Sequence, residues 1–265
     1  MRTLRVVLAF LLYAVPMSAQ DTPIPPGDGG RPTLDLFQQA VDEAPDGAVI
    51  RTDDYLPRVK RSLVVRTDRS LTFVGGVFQG DSTGPAIFFE TETCYPPTGG
   101  CWNSDQRTIR LIGVAIVPAK VKAFTLFDIH AGGLGRLILE DCWIRSAHNS
   151  IYMSHDSLLA IRRSVIQAGD EGVIDCYNYL GASAVVCGSV GIFDSWIEGG
   201  DGPRIEGPSP YSCLQPCTGR GGIGVIANTL GFRNTTLRGG RGAWWVDAGC
   251  MGPTGEAYTA GTVVR

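Results

Sequence analysis

The chain has 265 residues, 44% of them hydrophobic, and a formal net charge of −3. This length fits one domain of ordinary size, and the nearly balanced charge argues against a nucleic-acid partner. The 35 glycines fit a fold with many corners, and the eight cysteines favour disulfides if the chain is exported.

The first residues have the three parts of a secretory signal peptide. Arg2 and Arg5 supply positive charge, residues 6–15 form an apolar core, and residues 17–19 form a small-residue cleavage site. That core is too short to span a membrane, and no later segment is long enough. We predict a signal peptide over 1–19, a flexible Pro/Gly-rich spacer over 20–32, and a secreted protein of the cell exterior or envelope. A retained anchor is the alternative.

A short amphipathic helix is predicted directly after the spacer. Thr33 is a candidate N-cap, and Leu36, Phe37, Ala40 and Val41 have helical spacing. Because the terminal unit of a repeat fold must be covered, we expect this helix to cap the open end of the domain that follows.

After the helix, six stretches repeat one eight-residue pattern. Positions one, three and eight are apolar, position six is small, and position five is a turn residue that predicts a sharp, left-handed corner. A further apolar run follows, so each unit reads as strand, corner, strand, turn, strand. Repeats at intervals of 22 to 40 residues predict a solenoid of stacked coils. The six stretches begin at Leu71, Ile109, Leu137, Leu159, Val190 and Leu230.

These repeats and the entry segment from Leu34 to Tyr55 resemble the right-handed parallel β-helix of the pectin-lyase-like superfamily. The entry segment has that family's order of amphipathic helix, Ala-Pro-Asp-Gly turn, first strand and turn ending in Tyr. The resemblance implies an all-β, right-handed parallel β-helix over residues 33–265. It implies no single activity, because the superfamily includes lyases, hydrolases, esterases, adhesins and structural domains. The final GTVVR reads like the start of another coil, so we expect either a covered last coil or an incomplete domain.

Most of the cysteines lie in excursions between the repeats. Three pairs are close in sequence, and we predict that each forms a disulfide that closes a loop. Cys142 occupies an inward, small position and is predicted to be a buried free thiol, whereas Cys250 has no evident partner. The predicted disulfides join Cys94 to Cys101, Cys176 to Cys187, and Cys213 to Cys217.

Aligning the corner before each second apolar run gathers His, carboxylate and guanidinium groups in one column. Coils stack about 4.8 Å apart, so residues at equivalent positions approach one another along the outside. Such a set favours a site for an anionic or polyhydroxyl substrate. The predicted catalytic column is His148, Asp170, Glu171, Arg220 and Arg241.

The resemblance gives this column two alternative chemistries. In polygalacturonase-like hydrolases two aspartates lie on this corner, and Asp170 and Glu171 match them, although the other hydrolase motifs are missing. In β-helix lyases an arginine is the base and acidic residues hold calcium. Arg220 or Arg241 would then be the base, with Asp170, Glu171 and Asp175 as calcium ligands. A third interpretation is structural, namely a ladder of solvated charges.

A second outward column, at position seven of the repeat, contains Trp143 and Trp196. They lie two coils apart, about 10 Å, and sugar rings of an extended glycan can stack on such aromatic faces. The alternative is that the excursion over residues 199–222 covers both rings. The sequence thus predicts a secreted β-helix that binds or acts on polysaccharide, as a lyase or a hydrolase, or else a non-catalytic adhesin or envelope scaffold.

Overall fold

A computed structural model of the protein shows a β-rich chain with one helix among the residues it describes. The described residues are 21–22, 34–52, 62–66, 68–80, 85–90, 107–118, 127–154, 156–170, 181–202, 204–205, 219–242, 244–245, 249–251, 254 and 258–264. The elements in chain order are β1 (Asp21–Thr22), α1 (Leu34–Glu43), β2 (Val49–Arg51), β3 (Leu63–Arg66), β4 (Leu71–Val74), β5 (Val77–Phe78), β6 (Ile87–Glu90), β7 (Thr108–Ile112), β8 (Ala115–Ile116), β9 (Phe127–Ala131), β10 (Arg136–Glu140), β11 (Trp143–Arg145), β12 (Asn149–Met153), β13 (Leu158–Arg162), β14 (Val165–Gln167), β15 (Val185–Phe193), β16 (Trp196–Glu198), β17 (Arg204–Ile205), β18 (Val225–Arg233), β19 (Thr236–Arg238), β20 (Trp244–Trp245), β21 (Cys250–Met251) and β22 (Tyr258–Val264).

The strands stack coil upon coil into a parallel β-helix. A thirteen-stranded sheet curls round the core, and a six-stranded sheet in the order β19-β16-β14-β11-β8-β5 forms the remaining wall. Within the described part of the chain every strand pairing is parallel except β20 with β21, in a small third sheet. The predicted solenoid is therefore confirmed.

The predicted corners lie at position five of the repeat. All six position-five residues have positive φ, which confirms the left-handed corner. Arg163 is unexpected there, since it is neither Gly, Asp nor Asn, and its guanidinium binds the Asp141 carboxylate through Nε and Nη2 at 2.7 and 2.8 Å. The six are Gly75 (70°), Gly113 (64°), Asp141 (54°), Arg163 (46°), Asp194 (51°) and Asn234 (50°).

The core is built from positions one, three and eight of the repeat. In the first five repeats all of these side chains are buried, whereas Phe232 and Leu237 of the sixth repeat are only partly buried. Each fully buried Leu, Ile or Phe contributes roughly 1.5–3 kcal/mol through removal of apolar surface from water. Position eight, the inward residue of the six-stranded sheet, is Phe78, Ile116, Ile144, Ile166 and Ile197 in the first five repeats.

Helix α1 covers the first coil, as predicted. Phe37 is fully buried, and its ring lies 6.2 Å from that of Phe78. The Gln38 side chain donates to the Val64 carbonyl and accepts from the Val64 amide, at 2.6 and 3.0 Å. Strand β3 is the terminal strand of its sheet, so its outer backbone groups have no further described strand to pair with. The Gln38 side-chain amide takes the place of that strand at Val64.

The first and last described strands, β1 and β22, extend the stack of coils. Strand β1 lies within the predicted spacer, yet its two residues pair with Val49 and Ile50. The signal peptide and the rest of the spacer lie outside the described residues. At the other end β22 pairs with β18, so the final segment does begin another coil. No helix in the described part is long and apolar enough to cross a membrane.

Two cysteines in the described part of the chain, Cys142 and Cys187, are free thiols. Cys142 is free and buried, as predicted. The predicted Cys176–Cys187 disulfide is wrong, because Cys187 is a free thiol on the buried side of β15, within the core. Burial raises the pKa of Cys142 to about 11 and that of Cys187 to about 12. The other disulfide candidates, Cys94, Cys101, Cys176, Cys213 and Cys217, lie outside the described residues.

A polar ladder runs through the core at position six of the repeat. The amide of Cys142 donates to the Ser164 hydroxyl at 3.0 Å, and the amide of Ser164 donates to the Ser195 hydroxyl at 3.1 Å. Each serine hydroxyl in turn donates to a carbonyl two residues earlier, on Arg162 and Phe193. The small residues of the sequence pattern therefore satisfy buried amides where the corner interrupts the strand pairing.

Replacing Ser164 with alanine should destabilise the fold by about 1–3 kcal/mol, because it leaves the buried Cys142 amide without an acceptor. Urea denaturation followed by circular dichroism measures this loss. Ser183→Ala is the control, since the hydroxyl of that half-buried serine accepts no backbone amide among the described contacts, and its carbonyl, which accepts the Ser150 amide, is kept in the variant. Equal losses in the two variants would contradict a structural role for the ladder.

Candidate functional site

The outer face of the six-stranded sheet carries the predicted tryptophan column. Strand register places Trp143 opposite Val165, which in turn lies opposite Trp196, so the two rings belong to one column separated by one strand. Trp143 is 42% exposed and Trp196 is 38% exposed. The alternative in which the excursion covers both rings depends mainly on residues 206–218, which lie outside the described residues.

Hydrogen bonds hold the Trp196 ring in place on this face. Its Nε1 donates to Oε2 of Glu198 at 3.2 Å, and Gln167 donates to the same oxygen at 3.1 Å. Nη1 of Arg238 lies 3.3 Å from the other Glu198 oxygen. Glu198 thus links three neighbouring strands, β14, β16 and β19, and fixes an aromatic ring that is open to solvent.

The polar corner column lies beside this face. The last residues of β11, β14, β16 and β19 are in register, so the residues three positions later occupy one corner of successive coils. Gly169 donates its amide to the His148 carbonyl at 2.9 Å, and the amide of Asp201 donates to Oδ1 of Asp170 at 3.3 Å. We define the corner column as His148, Asp170, Asp201 and Arg241.

Asp201 is a member of this column that the sequence alignment missed. Its Oδ1 accepts the amide of Arg241 and its Oδ2 accepts Nε, both at 2.7 Å. The alignment was anchored on the apolar run after each corner, but excursions separate corner from run in these coils. Counting three residues on from Gln167 and Glu198 would have identified Asp170 and Asp201 together.

Arg220 is not one of the four in-register corner residues, although the residue after it, Gly221, lies against Gly240 and Arg241 of the column. Arg220 lies where the chain returns from the excursion, and its carbonyl accepts the amide of Gly181 at 2.9 Å. His148, Asp170 and Arg241 do share the corner column. Glu171 and Asp175 lie outside the described residues, so the calcium site stays a prediction. Within the described part no three His, Cys, Asp or Glu residues are grouped closely enough to hold a metal ion.

Glycine allows the corners of the column to touch. A Cβ atom on Gly169 would overlap the carbonyl of Ala147, one on Gly200 would overlap that of Gly169, and one on Gly240 would overlap that of Gly200. The backbones therefore approach as closely as only glycine permits. The polar residue that follows each glycine is brought into line as a result.

Ion pairs neutralise most of the charge in this region. Burial alone raises the pKa of Asp201, but the hydrogen bonds and charge of Arg241 outweigh that effect and hold it below its usual range. Glu198 is paired with Arg238 in the same way along the neighbouring column. Asp170 is exposed and its carboxylate makes no ion pair among the described contacts. The column therefore offers hydrogen-bonding groups to a ligand but carries little net charge.

Comparison with known proteins gives no match, whether with family models, curated proteins or solved structures. Function must therefore be argued from the chemistry of the site itself.

A second polar cluster lies on the other side of the same corner and was not predicted. Asp128 of β9 lies beside Ser146 and His148 of the next coil. Burial raises the pKa of Asp128 to about 6, while the Ser146 hydroxyl and the His148 charge partly oppose the rise. Ser146 is near enough to act on the carboxyl, yet neither its Oγ nor Oδ2 of Asp128 has a partner with hydrogen-bond geometry.

Aromatic rings pack along the same strands as this cluster. The His130 ring lies edge-on to Phe88 at 5.3 Å and to Tyr152 at 5.2 Å between ring centroids, and Phe127 lies 5.1 Å from Tyr152. Burial lowers the pKa of His130. The stack fixes the strand that carries Asp128, two residues from His130. In the sequence the signal was a lone Asp within the apolar run FTLFDI.

Proposed function

We propose that the protein is a secreted β-helix that binds polysaccharide along the outer face of its six-stranded sheet. The observation that carries this proposal is the pair of exposed rings, Trp143 and Trp196, aligned in one column of a rigid sheet. Aromatic faces bind the apolar faces of sugars, and two of them about 10 Å apart suit an extended chain. The corner column adds hydrogen-bonding groups along the edge of this face.

Membership of the pectin-lyase-like superfamily is part of the same proposal. The parallel coils and the helical cap over the first coil support it. Export is supported by the signal-peptide pattern in the sequence. Binding is favoured over catalysis because the one arginine of the column, Arg241, is paired with Asp201, and Arg238 beside it is paired with Glu198, as on a non-catalytic adhesin or scaffold.

A carbohydrate-active enzyme is the second candidate function. It is favoured by two carboxyls near one corner in different environments, exposed Asp170 and buried Asp128, whose pKa is about 6. A carboxyl that burial keeps protonated near neutral pH is typical of the general acid in glycoside chemistry. A lyase would instead use Arg241 or Arg220 as base, with calcium on Asp170, Glu171 and Asp175.

Replacing Trp143 or Trp196 with alanine should weaken polysaccharide binding roughly threefold to tenfold each, through loss of ring stacking. Affinity electrophoresis against uronate and neutral polysaccharides, with and without calcium, measures this effect. Trp244→Ala is the matched control, since Trp244 is 48% exposed but lies on β20, outside the column. Binding that is absent, or that falls equally in the control, would overturn the proposal.

The same polysaccharides separate binding from catalysis. A lyase releases both unsaturated products that absorb in the ultraviolet and new reducing ends, a hydrolase releases only the reducing ends, and a scaffold releases neither. If the protein only binds, both the natural protein and Asp170→Asn should release unsaturated products and reducing ends at the background level. A turnover that Asp170→Asn abolishes would favour the enzyme.

A further inference from the structure

Two buried polar atoms between neighbouring coils lack hydrogen bonds. They are Oδ2 of Asp128 and Oγ of Ser146, and they belong to side chains that lie beside each other. Buried polar groups are nearly always paired, so an unpaired couple needs an explanation. A serine hydroxyl can accept from a carboxylic acid and can donate to a carboxylate. The couple therefore has two hydrogen-bonded arrangements, and the proton on Asp128 selects between them.

The titratable groups around Asp128 lie on three neighbouring strands. On the next coil the charged neighbour is His148, and Tyr152 lies further along β12. On the preceding coil β6 has Glu90 at its far end, and on β9 itself His130 lies two residues away. Burial places the pKa of Asp128 at about 6, so the carboxyl is mostly protonated at pH 5 and mostly ionised at pH 7.5.

A chain of contacts leads from Ser146 to the corner column. Ser146 is followed by Ala147, whose carbonyl touches Gly169, and by His148, whose carbonyl accepts the Gly169 amide. The next residue, Asp170, accepts the amide of Asp201. A movement of the Ser146 backbone therefore displaces the corners of the next two coils, because these backbones are in direct contact.

We propose that protonation of Asp128 is a switch that sets the position of the corner at residues 146–148 and, through it, the corner column. In the protonated state Asp128 donates to Ser146 Oγ. In the ionised state the Ser146 hydroxyl turns to donate to the carboxylate. Regulation of glycan binding by this switch rests on the proposed function, because the column borders the tryptophan face.

The switch is tested without any ligand by nuclear magnetic resonance. The amide signals of Gly169 and Asp201 should move with pH, with a midpoint near 6. Asp128→Asn should abolish that movement. The matched control Asp156→Asn, which removes an exposed carboxyl in a turn, should leave it unchanged. His148→Gln should keep the transition and raise its midpoint, since the His148 charge lowers the pKa of Asp128. A transition that disappears in His148→Gln but persists in Asp128→Asn overturns the proposal.

Ser146→Ala tests whether Ser146 carries the effect of Asp128 protonation to the corner column. It also provides a second test if Asp128→Asn fails to fold. The Asp128 carboxyl, followed by its own carbon-13 signal, should still titrate, while the Gly169 and Asp201 amides should no longer respond. An unchanged amide response would show that Ser146 transmits nothing and would overturn the switch. Glycan affinity at pH 5 and pH 7.5 is the separate test of regulation: if no glycan binds while the amides still titrate, the proposed function fails and the switch stands.

Discussion

Replacing Gly200 with alanine is expected to abolish the native fold, or to destabilise it by well over about 4 kcal/mol. The added Cβ would overlap the backbone carbonyl of Gly169, and Ala182 N lies only 3.2 Å from the same point. A side chain can rotate away from such an overlap, but two backbones held by parallel strands on either side cannot. The measurement is soluble yield and the thermal unfolding midpoint by circular dichroism.

Gly132→Ala is the matched control for that experiment. The nearest atom to its added Cβ would be Nε2 of His130 at 3.3 Å, a side-chain atom that can move by a few tenths of an ångström. We expect a stability change within about 1 kcal/mol, of either sign. If Gly200→Ala unfolds no more easily than Gly132→Ala, the close stacking of corners would be refuted, and with it the alignment of Asp170, Asp201 and Arg241.

Periodic features of the fold could be predicted from the sequence because each coil repeats the same physical problem. Left-handed corners, inward apolar residues and the outward tryptophan column all recur at fixed positions, so six weak signals combine into one strong one. Arg163 shows that the position matters more than the residue type: it adopts positive φ in a column of Gly, Asp and Asn, held by its pair with Asp141.

Contacts between coils of unequal length could not be predicted in the same way. The alignment chose Arg220 and missed Asp201 because it assumed that every corner is followed at once by its strand, whereas in this coil Asp201 precedes the excursion and Arg220 follows it. Cys187 was paired with Cys176 on sequence proximity alone, although it occupies an inward position of a nine-residue strand, β15. Asp128 was missed because only the packing of a neighbouring coil buries its carboxyl and makes it unusual.

The buried carboxyl of Asp128 should make the protein more stable in mild acid than at neutral pH. Its pKa rises from the ordinary 3.8 to about 6 on folding, so the folded state binds the proton more tightly than the unfolded state does. The contribution is fully present below pH 4 and is lost as pH rises through 6. The difference of about two pKa units corresponds to roughly 3 kcal/mol.

A variant comparison isolates this effect from every other titrating group. The free energy of unfolding is measured by urea denaturation at pH 4 and at pH 8 for Asp128→Asn and for the natural protein. The variant minus the natural protein should be roughly 3 kcal/mol more favourable at pH 8 than at pH 4. Asp156→Asn, which removes an exposed carboxyl, should show no such gain. A gap that stays constant with pH would mean that Ser146 and His148 solvate the ionised carboxylate as well as water does. The folded and unfolded states would then bind the proton on Asp128 equally well, and the pKa of this carboxyl would not rise on folding.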